Sequence, residues 1–452
     1  MSGTSTCPGS RTGSGWRATG WPGGPCRPFS PAGRAACRRS KTEHRLMRVE
    51  QSPPASYRAL FAVRGVPRLV ANSVLARLGG QMWTVGMVLF VLQVFHSPSL
   101  AGLTIFVNVL PGLLLSPITG ALLDRHGRVR LMLLDLTVGT VTLLVIVALA
   151  ASGALTPPLL LGVVLVGSLT FTFSATGPRS LFPVLVPRAL WDRVNAVDSG
   201  MYALTAVLGP ALAGGLVALF SARAALLVTA AAWALAALAL IGIPDPIGAN
   251  AAARSIWRDA WEGVVYVVRR NATLRGLALA ISLSNAAFGI LAVALPVLVL
   301  TRLHGNAAQV GQAWAALGLA SLVTALVVGR MNSEGREKLM LAGGMLVPAF
   351  AFAVMAYTNS LAVVIVAMLA VGLANGPLDI ALFSIRQRRT DPAWFGRAFA
   401  VSMSVNYIGL PIGAAISGPL IGWSLPAALL LAALIAVLAA VSAVVAIPSH
   451  QR

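Results

Sequence analysis

Long stretches of this chain are apolar and almost free of charge. Between Leu131 and Pro178 the only charged side chain is Asp135, and Pro426–Pro448 contains no ionisable residue. A helix of roughly 20 apolar residues spans the ~30 Å hydrocarbon core of a bilayer. Such a segment must be helical, because lipid offers no water to satisfy backbone polar groups. The pattern predicts twelve spans: 69–95, 98–122, 131–151, 157–178, 195–219, 222–243, 275–301, 307–329, 339–357, 360–382, 397–421 and 425–447.

The connections between these spans are of two kinds. Those after even-numbered spans are rich in arginine, whereas those after odd-numbered spans carry only Arg223 and Arg302. Because cytoplasmic loops carry the excess of Lys and Arg, the arginine-rich connections are expected on the cytoplasmic side. An even number of spans then places both termini in the cytoplasm. The predicted fold class is an all-α membrane protein.

The longest connection divides the spans into two sets of six. Within it, apolar residues recur at helical spacing between Arg254 and Val268, which predicts an amphipathic helix on the inner membrane surface. Residues 1–57 are rich in Gly, Pro, Ser and Arg and are expected to be disordered. They contain no apolar core of a secretory signal, and translation from Met47 is an alternative. The predicted organisation is a tail (1–57), a six-helix bundle (58–243), a linker (244–274), a second bundle (275–448) and a short cytoplasmic tail (449–452).

The two sets of spans also resemble each other in sequence. Residues 127–133 read GRVRLML and residues 335–341 read GREKLML, each directly after the second span of its set. A pair of glycines five residues apart, Gly209 and Gly214, has a counterpart in the eleventh span. Two related bundles around a central axis are what alternating access requires, since the bundles rock about a site between them.

The charge of the chain agrees with this topology. It has 34 Lys and Arg against 13 Asp and Glu, a net charge of +21. Residues 1–66 contribute +9 of this, eleven basic minus two acidic residues, and the rest lies almost wholly in the arginine-rich loops. The positive-inside rule therefore accounts for the charge, and nucleic acid is not an expected partner.

Composition excludes several classes of function. Hydrophobic residues make up 57% of the chain and charged residues 10%, against about 25% charged in soluble domains. The three cysteines, Cys7, Cys26 and Cys37, all lie in the tail, and no Cys/His pattern indicates a metal site. No nucleophile constellation or Walker-type phosphate loop is present. We therefore expect neither an enzyme nor a cofactor.

The loop after the second span carries the most specific motif. Gly120, Asp124, Arg125, Gly127 and Arg128 resemble the signature loop of the major facilitator superfamily, in which Gly, Asp-Arg and Gly-Arg occur at these spacings. Gly127 permits a tight turn with positive φ. Asp124 is placed to accept from a helix N-terminus of the opposite bundle, so the loop is expected to control conformation.

The fifth span resembles the glycine-proline motif of the antiporter branch of that superfamily. Gly200, Gly209, Pro210, Gly214 and Gly215 form it, with one extra residue between Pro210 and the glycine pair. Small residues let helices approach closely, and a proline can bend the span. The motif favours efflux.

Further segments are similar to the macrolide-exporter and enterobactin-exporter group. They are the loop at 178–187, the linker helix residues 262–271, and Gly372 to Pro377 in the tenth span. The resemblance covers about residues 55–448. It implies proton-driven export of small amphipathic compounds.

Candidates for the substrate cavity are polar or aromatic residues at compatible depth. They are Arg77, Gln81, Trp83, Asn108, Asn285, Phe288, Trp314, Asn375 and Asp379. Weak hydrogen-bonding groups among apolar and aromatic walls suit an amphipathic substrate of low charge. Asn375 and Asp379 are four residues apart and share a helix face, so this pair is favoured. Arg77 either faces the cavity or extends to the inner surface.

Proton coupling needs an ionisable group in the cavity, because a charge near the bilayer centre is costly and is kept for function. Asp135, Asp198 and Asp379 all lie near cytoplasmic helix ends, where we expect each to pair with a nearby arginine (Arg130, Arg193 and Arg386, respectively) or to reach the interface. Relatives often carry an acidic residue after the Leu-Gly of the first span, but here Gly80 and Gln81 follow.

The sequence thus predicts a monomeric, multi-pass transporter of the plasma (inner) membrane. Its function is proton-coupled efflux of a small drug, macrolide-like compound or siderophore by alternating access. Two alternatives stay open: an uncoupled facilitator or uptake carrier of the same fold, favoured by the missing deep carboxylate, and a non-transporting membrane sensor.

Overall fold

The computed structural model describes residues 56–245, 256–328, 335–391 and 394–448. Only the backbone is described at residues 117, 118, 120, 121, 124, 256–260 and 395–400. Residues 1–55 of the predicted tail, the middle of the linker and the C-terminal residues 449–452 lie outside the described ranges, whereas Tyr57, expected in the tail, begins a short helix. The described residues are helical, and twelve helices are long and apolar enough to cross a membrane.

The spanning helices are numbered α1 to α12. They are α1 (Val66–Phe95), α2 (Pro98–His126), α3 (Arg128–Ala151), α4 (Pro157–Ser168 and Thr172–Leu185), α5 (Trp191–Leu219), α6 (Ala222–Leu240), α7 (Ala272–Val297), α8 (Ala307–Val328), α9 (Glu337–Tyr357), α10 (Leu361–Arg388), α11 (Phe395–Tyr407 and Gly409–Trp423) and α12 (Leu425–Ala446). A short helix, Tyr57–Ala62, precedes α1, and a linker helix, Ile256–Val265, joins the two sets of six.

Serine caps start several helices after the shortest connections. Ser97 accepts a hydrogen bond from the Leu100 amide at the start of α2, and Ser221 accepts from the Ala224 amide at the start of α6. A serine oxygen at the N-cap satisfies one of the first backbone N–H groups, which have no partner within the helix. The very short loops predicted from the sequence therefore close without unpaired donors at these positions.

The helices form two bundles, α1–α6 and α7–α12. The bundles contact each other chiefly along two seams, α2 against α11 and α5 against α8. The linker helix packs on both α11 and α2, so it lies at one end of the molecule. We call this end the linker side and the opposite end the far side.

The buried apolar residues show how the bundles are disposed. On the far side they form one continuous core to which both bundles contribute, including Leu89 of α1 and Leu291 of α7. On the linker side each bundle has a separate core, one around Leu69 and the other around Leu277. The apolar cores of the bundles are therefore joined on the far side and parted on the linker side, where Ser404 of α11 still donates a hydrogen bond of 3.1 Å to Ser116 of α2.

Glycines bring the bundles into backbone contact at both seams. A Cβ atom on Gly214 of α5 would lie 2.8 Å from the Cα of Gly311 in α8. At the other seam, Gly102 of α2 meets the Ala414 carbonyl and Gly418 of α11 meets the Ser99 backbone. Closely approaching backbones are typical of packed membrane helices with small residues at the crossing. These contacts lie in the far half, where the cores have merged.

The five residues of the glycine-proline motif in α5 divide into two groups. Gly209 packs against the Gln81 side chain of α1, and Pro210 and Gly214 face Gly311 of α8. A Cβ atom on Gly200 or Gly215 would meet no neighbouring atom within 4 Å. Gly200 and Gly215 therefore take no part in this helix packing.

The glycine of the repeated GR motif has a positive φ in both bundles. Gly127 and Gly335 have φ values of +93° and +76°, a region that favours glycine. Gly127 stands directly before α3, and Gly335 stands two residues before α9. The repeat seen in the sequence thus marks a positive-φ glycine at the start of the third helix of each bundle.

Helix α4 differs from the predicted continuous span 157–178. It is interrupted at residues 169–171 and continues to Leu185. Asp135 of α3 accepts a hydrogen bond of 3.1 Å from the Ser174 amide in the first turn of the second segment. The interruption frees backbone donors inside the bundle, and a carboxylate from the neighbouring helix satisfies one of them.

We predict that Gly214→Val disrupts transport while Gly215→Val does not. Only the first substitution places a side chain against the α8 backbone at the far-side seam. Overpacking costs about 1–3 kcal/mol, and the midpoint of that range, when it falls on the transport barrier, corresponds to roughly a thirtyfold loss of rate. Transport rates in proteoliposomes at equal protein content measure the effect. Equal rates for the two variants would contradict this account of the seam.

Candidate functional site

A charged cluster lies inside the first bundle on the linker side. Asp198 of α5 accepts from Arg77 of α1 through Oδ1 at 2.5 Å, and from Arg179 of α4 through Oδ2 at 3.1 Å. Arg77 also donates to the Asp198 carbonyl at 3.0 Å. Arg77 and Asp198 are both largely buried, whereas the Arg179 side chain is 60% exposed. A buried charge is stable only when paired and hydrogen-bonded, and here one carboxylate holds two guanidinium groups.

This cluster corrects the predicted partner of Asp198. Asp198 pairs with Arg77 and Arg179, so the expected pairing with Arg193 is wrong. Arg77, which was expected either to face the cavity or to extend to the inner surface, is held by this ion pair. Its guanidinium carbon lies 5.9 Å from the centroid of the Tyr202 ring, within the range of a cation–π contact.

Asp379 of α10 interacts electrostatically with Tyr202 of α5 in the first bundle, so it lies on the inner face of its helix. It stands seven residues before Arg386, which is fully buried and lies on the same side of α10. Asp379 itself is exposed, and no described residue forms a hydrogen bond or ion pair with its carboxylate. An exposed residue on an inner face indicates a water-accessible space between the bundles.

The expected pairing of Asp379 with Arg386 is therefore wrong. Arg386 donates to the Met403 sulfur at 2.6 Å, and its second terminal nitrogen reaches the amide oxygen of Asn406 at 2.5 Å when that amide is oriented to suit both neighbours. Arg386 is engaged with α11 inside the second bundle. Asp379 is left on the surface of the accessible space.

Two tyrosines from opposite bundles border the same space. Tyr202 of α5 is 49% exposed and Tyr407 of α11 is 44% exposed. Both interact electrostatically with Asp379 and with Arg179. Neither tyrosine was among the residues predicted from the sequence, although each lies in a span and has an aromatic ring with a polar end.

Asp135 occupies a structural position in place of the expected ion pair with Arg130. It is buried, and its carboxylate accepts from the start of the second α4 segment. Beside it, the hydroxyl groups of Thr119 and Thr172 are 2.8 Å apart and join α2 to α4. Asp135 thus stabilises the interrupted helix α4 and does not line the cavity.

The remaining cavity candidates fall in different environments. Trp83 is only 6% exposed and belongs to the far-side core, so it does not line the accessible space. Phe288 packs edge-on against Phe352 at 5.9 Å between ring centroids. Asn285 donates to the Asn406 carbonyl at 2.8 Å and so joins α7 to α11.

Four other candidates are partly exposed: Gln81, Asn108, Trp314 and Asn375. The structure gives no hydrogen-bond partner within the described residues for the side chains of Gln81, Asn108 and Asn375. Asn375 is one turn before Asp379, on the same side of α10. These amides are the polar groups still available to a substrate.

The predicted signature loop is described only in part. Side chains at positions 120 and 124 lie outside the described residues, so the expected role of Asp124 stays a prediction. Arg125 is exposed. At the turn itself, Asp245 accepts from the Arg128 amide at 3.0 Å and from the Val129 amide at 3.1 Å. The carboxylate would collide with a side chain at Gly127, which explains the glycine there.

Asp245 is a residue that reasoning from sequence missed. It follows α6 in the sequence Ile-Pro-Asp and caps α3, 116 residues or more away in sequence. Both amides at the positive end of the α3 dipole bind one carboxylate, which is a stabilising arrangement. The end of the first bundle is thereby tied to the signature loop.

Comparison with known proteins agrees with this architecture. A sequence profile of the Major Facilitator Superfamily matches residues 69–414, and a second match covers residues 277–452. The first match alone exceeds half of the chain. This chain belongs to the major facilitator superfamily. It is therefore a membrane transporter of that kind, and the superfamily consists of carriers rather than enzymes.

Two relatives from this superfamily are informative. The uncharacterised MFS-type transporter y4rN of Sinorhizobium fredii is 38% identical over 379 residues, 83% of this chain and 93% of the relative. Multidrug efflux pump Tap of Mycobacterium tuberculosis is 26% identical over 342 residues, 73% of this chain and 80% of the pump.

Solved structures of major facilitators share the fold. The nucleoside transporter NupG has a TM-score of 0.68 at 15% identity, covering 84% of this chain and 98% of NupG. A POT family transporter in complex with a thioalcohol-conjugated peptide has a TM-score of 0.66 at 12% identity, covering 84% and 95%. At this level of identity the similarity shows the fold alone.

We predict that Asp198→Asn destabilises this transporter more than the double variant Arg77→Gln/Asp198→Asn does. The single change leaves the buried Arg77 charge without its carboxylate, and breaking a buried pair in this way costs about 3–5 kcal/mol. Thermal unfolding of the purified protein measures the difference. Asp192→Asn, at an exposed position in the first turn of α5, is the matched control. A single variant as stable as the wild type would contradict the ion-pair assignment.

We also predict that Asp245→Ala lowers stability by about 1 kcal/mol, within the range for loss of an N-cap. Asp245→Asn should retain part of the stability, since its amide oxygen can accept from one of the two backbone N–H groups while its NH2 group cannot accept from the other. Denaturation midpoints of the two variants decide the matter. If the alanine and asparagine variants were equally affected, capping would not be the role of this side chain.

Proposed function

We propose that this chain is a proton-coupled exporter of small amphipathic compounds in the plasma (inner) membrane. The substrate class is a drug, a macrolide-like compound or a siderophore, and the protein works as a monomer by alternating access. The likeness to a multidrug efflux pump and the glycine-proline motif of α5 support the direction of transport. Similarity to the macrolide-exporter and enterobactin-exporter group is part of this proposal.

The observation that carries the proposal is the exposed carboxylate of Asp379, to which no described side chain is bonded. A charge near the middle of a membrane is costly and persists where it is used. Asp379 is reached from the linker side and has no partner among the described residues. A proton and a substrate can therefore bind Asp379 alternately, which couples proton transport to substrate transport.

Orientation follows from the charges at the two ends. Arginines crowd the linker side, including Arg125, Arg188, Arg269, Arg270 and Arg275, whereas the far-side connections carry Arg223 and Arg302. By the positive-inside rule the linker side faces the cytoplasm, together with both termini. The accessible space would then open inward, in the state that takes up substrate from the cytoplasm or the inner leaflet.

A second candidate is an uncoupled facilitator of the same fold. It is favoured by Gly80, which stands where relatives often carry an acidic residue and which has no neighbour within 4 Å of an added Cβ atom. The first helix therefore contributes no carboxylate to this space. In a facilitator, Asp379 would bind substrate and would not carry protons.

The test is accumulation of ethidium in an efflux-deficient bacterial host. Expression should lower dye accumulation, a protonophore should abolish the effect, and Asp379→Asn should abolish it with normal membrane insertion. Asp192→Asn is the control, since it removes an exposed carboxylate outside the cleft. Activity that survives the protonophore but is weakened by Asp379→Asn would identify a facilitator, and an unchanged dye level in every case would exclude transport of this dye class.

A further inference from the structure

The fourth helix of each bundle carries the same Gly-Pro pair followed by a charged residue. In α4 the order is Gly177, Pro178 and Arg179, and in α10 Gly376 and Pro377 are followed by Asp379, two positions after the proline. The two charged residues thus lie on the fourth helices of opposite bundles, one position apart relative to the proline. One bundle therefore presents a cation and the other an anion.

Arg179 has hydrogen-bonding capacity that no described residue uses. Its Nε donates to Asp198, and no described residue accepts from its terminal nitrogens. Asp198 is shared with Arg77, so the two guanidinium groups and one carboxylate leave a net charge of +1 on this wall. The exposed end of Arg179 is where a ligand can meet that charge.

Asp379 supplies the opposite pole. Tyr202 lies beside the Arg77–Asp198–Arg179 cluster, since the Arg77 guanidinium carbon is 5.9 Å from its ring centroid. Tyr202 and Tyr407 each interact electrostatically with both Arg179 and Asp379 and are about half exposed, so the four side chains border one space. A guanidinium, a carboxylate and two aromatic rings around one space make a site with two charged groups and an apolar surface.

We propose that Arg179 and Asp379 form a two-pole binding site for zwitterionic amphipathic compounds. This rests on the proposed function, because it assigns a substrate class to the same cleft. The guanidinium end binds the anionic group of the substrate, for which its planar fork is suited. The carboxylate and the tyrosine rings receive the cationic group and the aromatic body. A purely anionic compound meets repulsion at Asp379, and a purely cationic one leaves Arg179 unused.

The test compares three dyes with one xanthene body. Rhodamine 110 carries a delocalised cation and a free carboxylate, rhodamine 123 is its methyl ester and is cationic only, and fluorescein is anionic. Binding to the purified full-length protein is measured by fluorescence anisotropy. The wild type should bind rhodamine 110 most tightly. Arg179→Gln should raise the Kd for rhodamine 110 by roughly tenfold, the worth of a hydrogen bond to a charged group, and leave rhodamine 123 nearly unchanged.

Matched variants guard against a general structural effect. Arg179→Lys keeps the charge and should retain most of the rhodamine 110 binding. Arg188→Gln removes an exposed arginine outside the cleft and should change neither affinity. Asp379→Asn should weaken the binding of both rhodamines. Equal loss of the two rhodamines in Arg179→Gln would overturn the site and would instead fit a direct Arg179–Asp379 contact. Absence of rhodamine binding in the wild type would overturn it as well.

The outcome is separable from that of the proposed function. If a proton gradient failed to drive rhodamine 110 in proteoliposomes while the pattern of dissociation constants held, coupling would be wrong and the two-pole site would stand. If transport were proton-driven but Arg179→Gln bound both rhodamines like the wild type, the exporter would stand and the site would fall.

Discussion

The cost of a charge away from bulk water governs the interior of this transporter. Asp198 is buried and holds two arginines, and Arg386 is buried and engages α11. Among the acidic side chains that the structure describes in the spanning helices, Asp379 alone both faces the opposite bundle and has no described partner. Its charge is tolerable because the parted linker side admits water, so the state of Asp379 is tied to the position of the bundles.

Close backbone contacts at the far-side seams are the second constraint on the positions of the bundles. Backbone contact at Gly214 and Gly311 leaves no room for solvent between α5 and α8, and the α2–α11 seam is equally close at Gly102 and Gly418. Rocking the bundles would open these contacts and bring the tyrosines and Asp379 together on the linker side. Occupation of Asp379 by a proton or a cation removes the penalty for that closure, which is the physical basis proposed for coupling.

Sequence reasoning predicted what depends on local pattern. Twelve spans and two related bundles follow from apolar run length and from the repeated GR turn, and the structure has both. The pairing of charges could not be obtained in this way. Asp198 was expected to pair with Arg193, five residues before it, but which helix faces meet decides that it pairs with Arg77 and Arg179. The position of a residue along a span was likewise a poor guide to its exposure. Trp83 lies at a position in α1 compatible with the substrate cavity, but its side chain is buried in the far-side core.

The interruption of α4 and the cap from Asp245 are also products of tertiary structure. Residues 157–178 form one apolar run in the sequence, which gives no sign of a break. The break becomes understandable from tertiary structure, where the Asp135 carboxylate of the adjacent helix accepts from the Ser174 amide. Asp245 lies in a proline-flanked connection that looks like an ordinary loop. Signals of this kind become visible only once the helices are placed.

The central claim is that the two ends of the molecule open in alternation. Spin labels at Asn195 and Gln387 would report the linker-side separation, and labels at Leu219 and Trp423 would report the far side, in a variant with Cys7, Cys26 and Cys37 replaced. Pulsed electron–electron distance measurements across a pH and substrate series should show the first distance shortening as the second lengthens. Distances that stayed fixed, or that changed in the same direction, would contradict the account.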